Sequence, residues 1–357
     1  MTRLAPYFLL LALSLPFKGV SQDQTENQSI AIGLLLPDRS QTDLHRAAEM
    51  AIEEANEEGG YNQRNFKLVI RTAEGPWGAG SKESVSLVYD DHVCVIIGSL
   101  DGRNGHLAEQ VATKSHLTYI ETFATEPTLS QAFVPWFMRV VPNDNQQSEA
   151  ILECIRQNGG GRIAILSTEN YDTRYAVRSL TKTVARETGC APLVINVDSL
   201  GFHQRKITEK ILSSKIDHLI VPFDAEMLSD LMVVLGELMP SLKIYGTLHF
   251  TMGAESRKIP WSQYEGISMI GPVYNVIGTG TTLPDSRSAY LYDAVNLVIL
   301  AIRRTGTGHE AITEYLSRME HHEGITGPIS FDELGNRKSK PVMVRIEQGQ
   351  PIILETP

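Results

Sequence analysis

Apolar residues fall in short runs, separated by stretches where they recur every three or four positions. Ile30–Leu36 is almost continuously apolar and stops at Pro37, the pattern of a strand covered on both faces. After it, Leu44, Ala47, Ala48, Ala51, Ile52 and Ala55 keep helical spacing until Gly59-Gly60 ends them. Residues 66–70 predict a second strand, Ser81 a cap for a helix through Tyr89, and 93–97 a third strand closed by Gly98. A helix over 105–114 and a strand over 117–120 follow. Alternation of this kind favours a parallel sheet with helices on both faces.

The pattern restarts after 137–142. Helices are expected at 146–157, 173–188, near Ile207 and at 225–238, with strands at 162–166, 193–197, 218–221 and 243–245 between and after them. Two successive doubly wound halves of similar size are the simplest account. The last third differs: helices at 290–304 and 309–320 precede a terminal hairpin of 342–346 and 352–354. It reads as a chain returning to complete both halves.

The first residues do not fit that alternation. Met1-Thr2-Arg3, an apolar run from Leu4 to Leu15 broken by Pro6 and Ser14, and small residues at Gly19 and Ser21 match a secretory signal over 1–21. A short membrane anchor is the competing reading, but the run is shorter than the roughly 20 residues that cross a bilayer. Removing the segment takes away Arg3 and Lys18 and no acid, so the formal charge of −10 becomes more negative still. An acidic chain with 32 basic against 42 acidic residues argues against nucleic acid as a partner, because phosphate neutralisation needs clustered cations. Its 357 residues, 42% of them hydrophobic, suffice for two cores of ordinary size. Three cysteines allow one disulfide at most. Cys94 sits in an apolar run, and Cys154 with Cys190 is the pairing left open.

The sequence carries none of the common catalytic signatures. Gly98-Ser99-Leu100-Asp101-Gly102 puts serine in the wrong place for a nucleophile elbow, and there is no GxxxxGK loop to wrap a phosphate. The first strand ends in Pro37-Asp38-Arg39, without the glycines a dinucleotide fold needs there. His321-His322 has no accompanying HExxH or carboxylate-flanked pair, so neither metal nor cofactor is expected.

Ligands of open α/β sheets bind beyond the carboxyl ends of the strands. Here those ends are polar: 72–77, 98–104, 121–127 and 167–172. With Ile32-Gly33-Leu34-Leu35-Leu36-Pro37, Ala55-Asn56 before Gly59-Gly60, Ile96-Ile97-Gly98, Ala124-Thr125-Glu126-Pro127, the loop to Tyr171 and Gly327-Pro328-Ile329-Ser330-Phe331-Asp332-Glu333-Leu334-Gly335-Asn336, they form an ordered set. In this set the chain resembles the type I periplasmic binding proteins, specifically the branched-chain amino-acid (leucine-binding) receptor group of ABC importers.

The resemblance implies an α/β fold of two Rossmann-like lobes joined by a three-stranded hinge that closes on a small ligand. Crossovers near Val141, Gly271 and 327–329 would divide the chain into lobe one, 30–141 plus 272–328, and lobe two, 142–271 plus 329–357. It also implies a ligand carboxylate held near Asp101, Gly102 and Arg103 and by Phe123 and Thr125, with Gly102 lacking the usual hydroxyl and Arg103 offering a charged fork. Tyr171 and Phe223 would supply aromatic walls from lobe two, and Trp77 another. The acid that meets a ligand ammonium falls near Leu248, which cannot do so; Asp101, Asp172 or Asp224 would have to substitute. The expectation is a monomeric, non-enzymatic solute-binding protein of the periplasm that takes an amino-acid-like or related carboxylate or amide ligand to an ABC permease. A ligand sensor of the same fold without a transporter, and an enzyme with its site in the cleft, are the alternatives.

Overall fold

The computed structural model describes residues 29–354 except 77, 132–133, 202, 225–230, 232–233, 236–238, 240, 257 and 272–282. The proposed leader, Trp77 and most of the helix expected at 225–238 therefore lie outside the described residues. Among the described residues the chain builds two main sheets. The first contains β1 (Ile30–Leu36), β2 (Phe66–Thr72), β3 (Val95–Gly98), β4 (Thr118–Glu121) and β5 (Phe137–Arg139) in the order β2-β1-β3-β4-β5, all parallel. In the second, β6 (Ile163–Ser167), β7 (Leu193–Asn196), β8 (His218–Val221), β9 (Lys243–Gly246) and β10 (Ser268–Ile270) repeat that order in parallel. An antiparallel hairpin, β13 (Met343–Glu347) and β14 (Gln350–Ile353), extends it at the β10 edge. A small ribbon of β11 (His322–Gly324) and β12 (Gly327–Ile329) lies between.

Both parallel sheets reverse direction beside their first strand, β1 against β3 and β6 against β8. Such switch points leave a crevice at the strand ends. Register aligns those ends: Leu35 pairs with Gly98, Gly98 with Glu121, and Val221 with Gly246. β1 is apolar along its length because α1 (Thr42–Glu57) covers one face of the sheet, and α2 (Ala79–Tyr89) and α3 (Gly102–Lys114) the other. The second sheet carries α4 (Asp144–Gln157), α5 (Tyr171–Thr188), α6 (Gln204–Ser213) and α7 (Leu248–Ser256). The apolar α8 (Ser286–Thr305) packs on α1, with α9 (His309–Ser317) beside it, so the late helices return to the first sheet.

At α2, α3 and α5 the helix start differs from the sequence expectation, each through its cap. α2 begins at Ala79 from Gly78, in the left-handed region at φ 93, without a side-chain cap from Ser81. α3 begins at Gly102, because the Asp101 carboxylate accepts the Asn104 amide at 2.8 Å. α5 begins at Tyr171, because Asn170 accepts the amides of Asp172 and Thr173. Tyr171 thus opens a helix and is not part of a loop. The three cysteines are free thiols, Cys94 and Cys154 buried and Cys190 exposed, so Cys154 and Cys190 do not pair.

The strands of the hinge are tied by two buried arginines. Arg337 donates through Nη1 to the Val140 carbonyl at 3.1 Å and through Nη2 to the carbonyls of Thr326 and Gly327 at 2.8 and 2.9 Å. One guanidinium therefore joins the segment after β5 to the β11–β12 ribbon. Arg139, wholly buried, donates to the Glu126 carbonyl at 2.6 Å, and its own backbone amide donates to Gly335 O at 2.8 Å. Gly335 has φ 75, and a Cβ there would run into the Phe137 carbonyl.

Candidate functional site

A cavity of about 470 Å³ lies between the carboxyl ends of the two sheets. That is the size range of small-molecule sites. A larger hollow of about 960 Å³ opens instead beside the β5 edge, between Trp136 and Arg318, away from those strand ends. The cleft is the better candidate because helix N-termini and strand-end loops converge on it.

Its first wall is the start of α3. Asp101 caps the helix, and the next amide, Gly102 N–H, donates to Asp172 Oδ1 at 2.9 Å on α5 of the other sheet. Gly102 has no side chain to spare. A Cβ there would stand 2.7 Å from the Glu126 carboxyl carbon and 2.9 Å from Asp172 Oδ1. Glu126 is fully buried and forms an ion pair with His106 Nε2 at 2.8 Å. The carboxylates of Glu109 and then Glu126 push His106 up to about 9. Burial pushes Asp172 up to about 7; the Gly102 amide opposes this, nearby Asp101 and Glu126 add to it, and Arg103 opposes it. Arg103 itself is exposed and lies over the Tyr171 ring, 5.2 Å from its centroid.

The second wall is the loop after β4. Glu121 is wholly buried and accepts the amides of Thr122, Phe123 and Ala124, while Tyr119 Oη donates to it at 2.5 Å. Gly98 makes room for the tyrosine, since a Cβ there would collide with its ring and hydroxyl. This carboxylate sets the curve of the loop that presents Phe123. Phe123 is held between two partners: His249 stacks on it at 4.7 Å, and the Arg287 guanidinium lies 4.4 Å from its centroid. His249 Nε2 is 3.3 Å from the Phe123 carbonyl, a second contact between the units, and burial pushes this imidazole down to about 4. Arg287 donates Nη1 to Gln41 Oε1 at 3.3 Å, and its buried Nε has no acceptor.

Of the residues expected from the sequence, Asp101, Phe123 and Phe223 line the cavity, as do the substitute acids Asp172 and Asp224. Gly102, Arg103 and Tyr171 meet at the α3–α5 contact beside it. Thr125 is buried, its carbonyl taking the Asp144 amide at 2.8 Å and its hydroxyl lying against the Asp144 carboxyl. Trp77 is outside the described residues. Leu248 is fully buried with its amide on Gln147 Oε1 at 2.8 Å; the neighbouring His249 reaches the cavity in its place. Sequence reasoning missed His249, Asp198 and Arg287. His249 lies just past a strand end, a usable signal, whereas Arg287 stands in the first turn of α8 and has none.

A family model described as the receptor family ligand binding region matches residues 43–239, more than half of the chain. The chain belongs to that family. Solved structures place this family member with the type I periplasmic binding proteins in fold. An ABC transporter substrate-binding protein from Desulfitobacterium hafniense in complex with Leu superposes with a TM-score of 0.75 at 19% identity, covering 92% of this chain and all of that one. A leucine binding protein from Thermotoga maritima gives 0.75 at 17%, covering 91% of this chain and 98% of the other. A solute binding protein from R. palustris in complex with benzoate gives 0.75 at 15%, covering 92% and 96%. Among curated proteins, Glutamate receptor 3.7 of Arabidopsis thaliana is 25% identical over 180 residues, 49% of this chain. The matched region is 19% of that receptor's length, so the chain spans only a small part of that relative. These relatives are binding proteins and receptors. Among the described residues no helix is long and apolar enough to cross a membrane, and no group of three or more His, Cys, Asp or Glu is placed to hold a metal ion.

Proposed function

We propose that the protein is an extracytoplasmic solute-binding protein whose two lobes close on a small polar or amphipathic ligand and present the closed form to an ABC permease. The observation that carries this reading is the cavity at both sets of strand ends, bridged from either side by Gly102–Asp172 and His249–Phe123. A ligand that touches both walls favours the closed state by its differential affinity for it. The moving bodies are 30–141 plus 272–328 and 142–271 plus 329–357, with the hinge at the Arg337 tie. The proposed binding residues are Asp101, Phe123 and Phe223 in the cavity, with Gly102, Arg103 and Tyr171 around it, whereas Thr125 is turned to Asp144 and Trp77 lies outside the described residues.

The fold of ABC substrate-binding proteins, and relatives that are binding proteins, support it, and the signal-like pattern of 1–21 supports export to the periplasm. The similarity to a receptor module favours a second reading, a ligand sensor with the same closing motion and no transporter. Native mass spectrometry of the purified protein should find one small molecule per chain, and its removal should raise the radius of gyration in X-ray scattering. A turned-over ligand, or a radius indifferent to it, rejects the proposal. Uptake of that molecule by vesicles carrying a permease, dependent on added protein, separates transport from sensing.

A further inference from the structure

The charges of the cleft narrow what it can hold. In the arrangement the resemblance implies, the N-terminus of α3 receives the ligand's carboxylate. Here the Gly102 amide is already engaged by Asp172, and the space beside it is filled by the Glu126 carboxyl. The positive end of the helix is thus neutralised by the protein's own carboxyl groups, and another anion would enter against them. Among the described residues the lining is mostly acidic. Asp101, Asp172 and Asp198 line it, against the guanidinium of Arg287 and an imidazole that burial keeps neutral. Arg103, the next cation in the chain, is exposed over Tyr171 and is not in the lining.

Arg287 adds an independent demand. Its Nε is buried with no acceptor, although Nη1 is held by Gln41 and the plane rests on Phe123. A buried donor left unmade is costly, and the cavity it lines is where an acceptor would come from. Between the acids and Arg287, Phe123, Phe223 and Met252 offer apolar surface for a short stem.

We infer, resting on the solute-binding reading above, that the cleft takes a small ligand of net positive charge, its ammonium nitrogen among Asp101, Asp172 and Asp198 and an oxygen acceptor at Arg287, with the α3 N-terminus closed to anions. Titration calorimetry on the full, exhaustively dialysed chain tests it with four probes: L-lysine, 1,4-diaminobutane, L-leucine and benzoate. L-Lysine should bind at least about tenfold tighter than L-leucine, and benzoate should give no heat. Asp172→Asn, which keeps an acceptor for the Gly102 amide, should weaken L-lysine by about tenfold, and Arg287→Gln should weaken L-lysine while leaving 1,4-diaminobutane unchanged, both variants keeping the native melting transition. L-Leucine or benzoate binding as tightly as L-lysine, with contraction in scattering, overturns the charge assignment and leaves the solute-binding reading standing. If none of the four binds, the amine site falls; if mass spectrometry also finds no co-purified molecule, the solute-binding reading falls with it.

Discussion

The hinge and the cleft both bury charge, in opposite ways. At the hinge the buried groups are guanidinium cations, and Arg337 satisfies its donors on backbone carbonyls of segments the chain already holds together. In the cleft carboxyls predominate beside the guanidinium of Arg287, and one of the pairings, Asp172 with Gly102, joins residues 70 apart in sequence across the gap between two sheets. Opening would break the second kind of contact and leave the first intact. The difference teaches that a hinged protein can place its permanent electrostatics where the chain crosses and its conditional electrostatics where a ligand enters.

The sharpest way to break that contrast is at the hinge. Arg337→Met leaves the carbonyls of Val140, Thr326 and Gly327 without their donor, and it should cost about 3–5 kcal/mol in urea unfolding. A loss under about 1 kcal/mol would mean that the tie is incidental. Gly102→Ala should act on the cleft instead. Its Cβ meets Glu126 and Asp172, so the ligand-free protein should expand in X-ray scattering and bind L-lysine about tenfold more weakly, with the melting temperature little changed. An unchanged radius would show that the α3–α5 contact does not govern closure.

The smallest effect expected is that of pH. Burial holds Asp172, Asp144 and Glu121 up near 7, well above their unfolded values, so their contribution to stability is complete below about pH 4 and is lost as pH rises through about 7. Raised to about 9, His106 prolongs the decline from about pH 6.5 to 9. His249, held down at about 4, works the other way: its contribution is present above about pH 6.5 and lost as pH falls through about 4. The three acids and His106 outweigh His249 over this range, so stability in chemical denaturation should fall between pH 5 and 7.5. Equal stabilities at those two pH values would contradict the burial of these carboxyls.

Much of the site was legible one side at a time. Polar strand ends marked the loops after β2, β3, β4 and β6, and Asp101 and Phe123 from those loops line the cavity, as does Phe223, which the family resemblance supplied. Asp172 and Asp224 were legible too, as candidates for the acid that Leu248 cannot supply. Thr125 misled, because a hydroxyl in a strand-end loop looks the same whether it faces a ligand or, as here, the Asp144 carboxyl at the start of α4. Arg287 carried no signal in the sequence. It stands at the start of a helix whose apolar pattern announces packing on α1, not an approach to Phe123.

By itself the sequence determined the alternation of strand and helix, the doubling of that alternation and the polar strand ends, because each depends on spacing along a few neighbouring residues. Only the tertiary structure decided which carboxyl groups meet across the cleft, and that the N-terminus of α3 is already occupied. The electrostatics of a cavity depend on charges brought within a few ångströms by folding, and residues 70 positions apart reveal no such distance in their order along the chain.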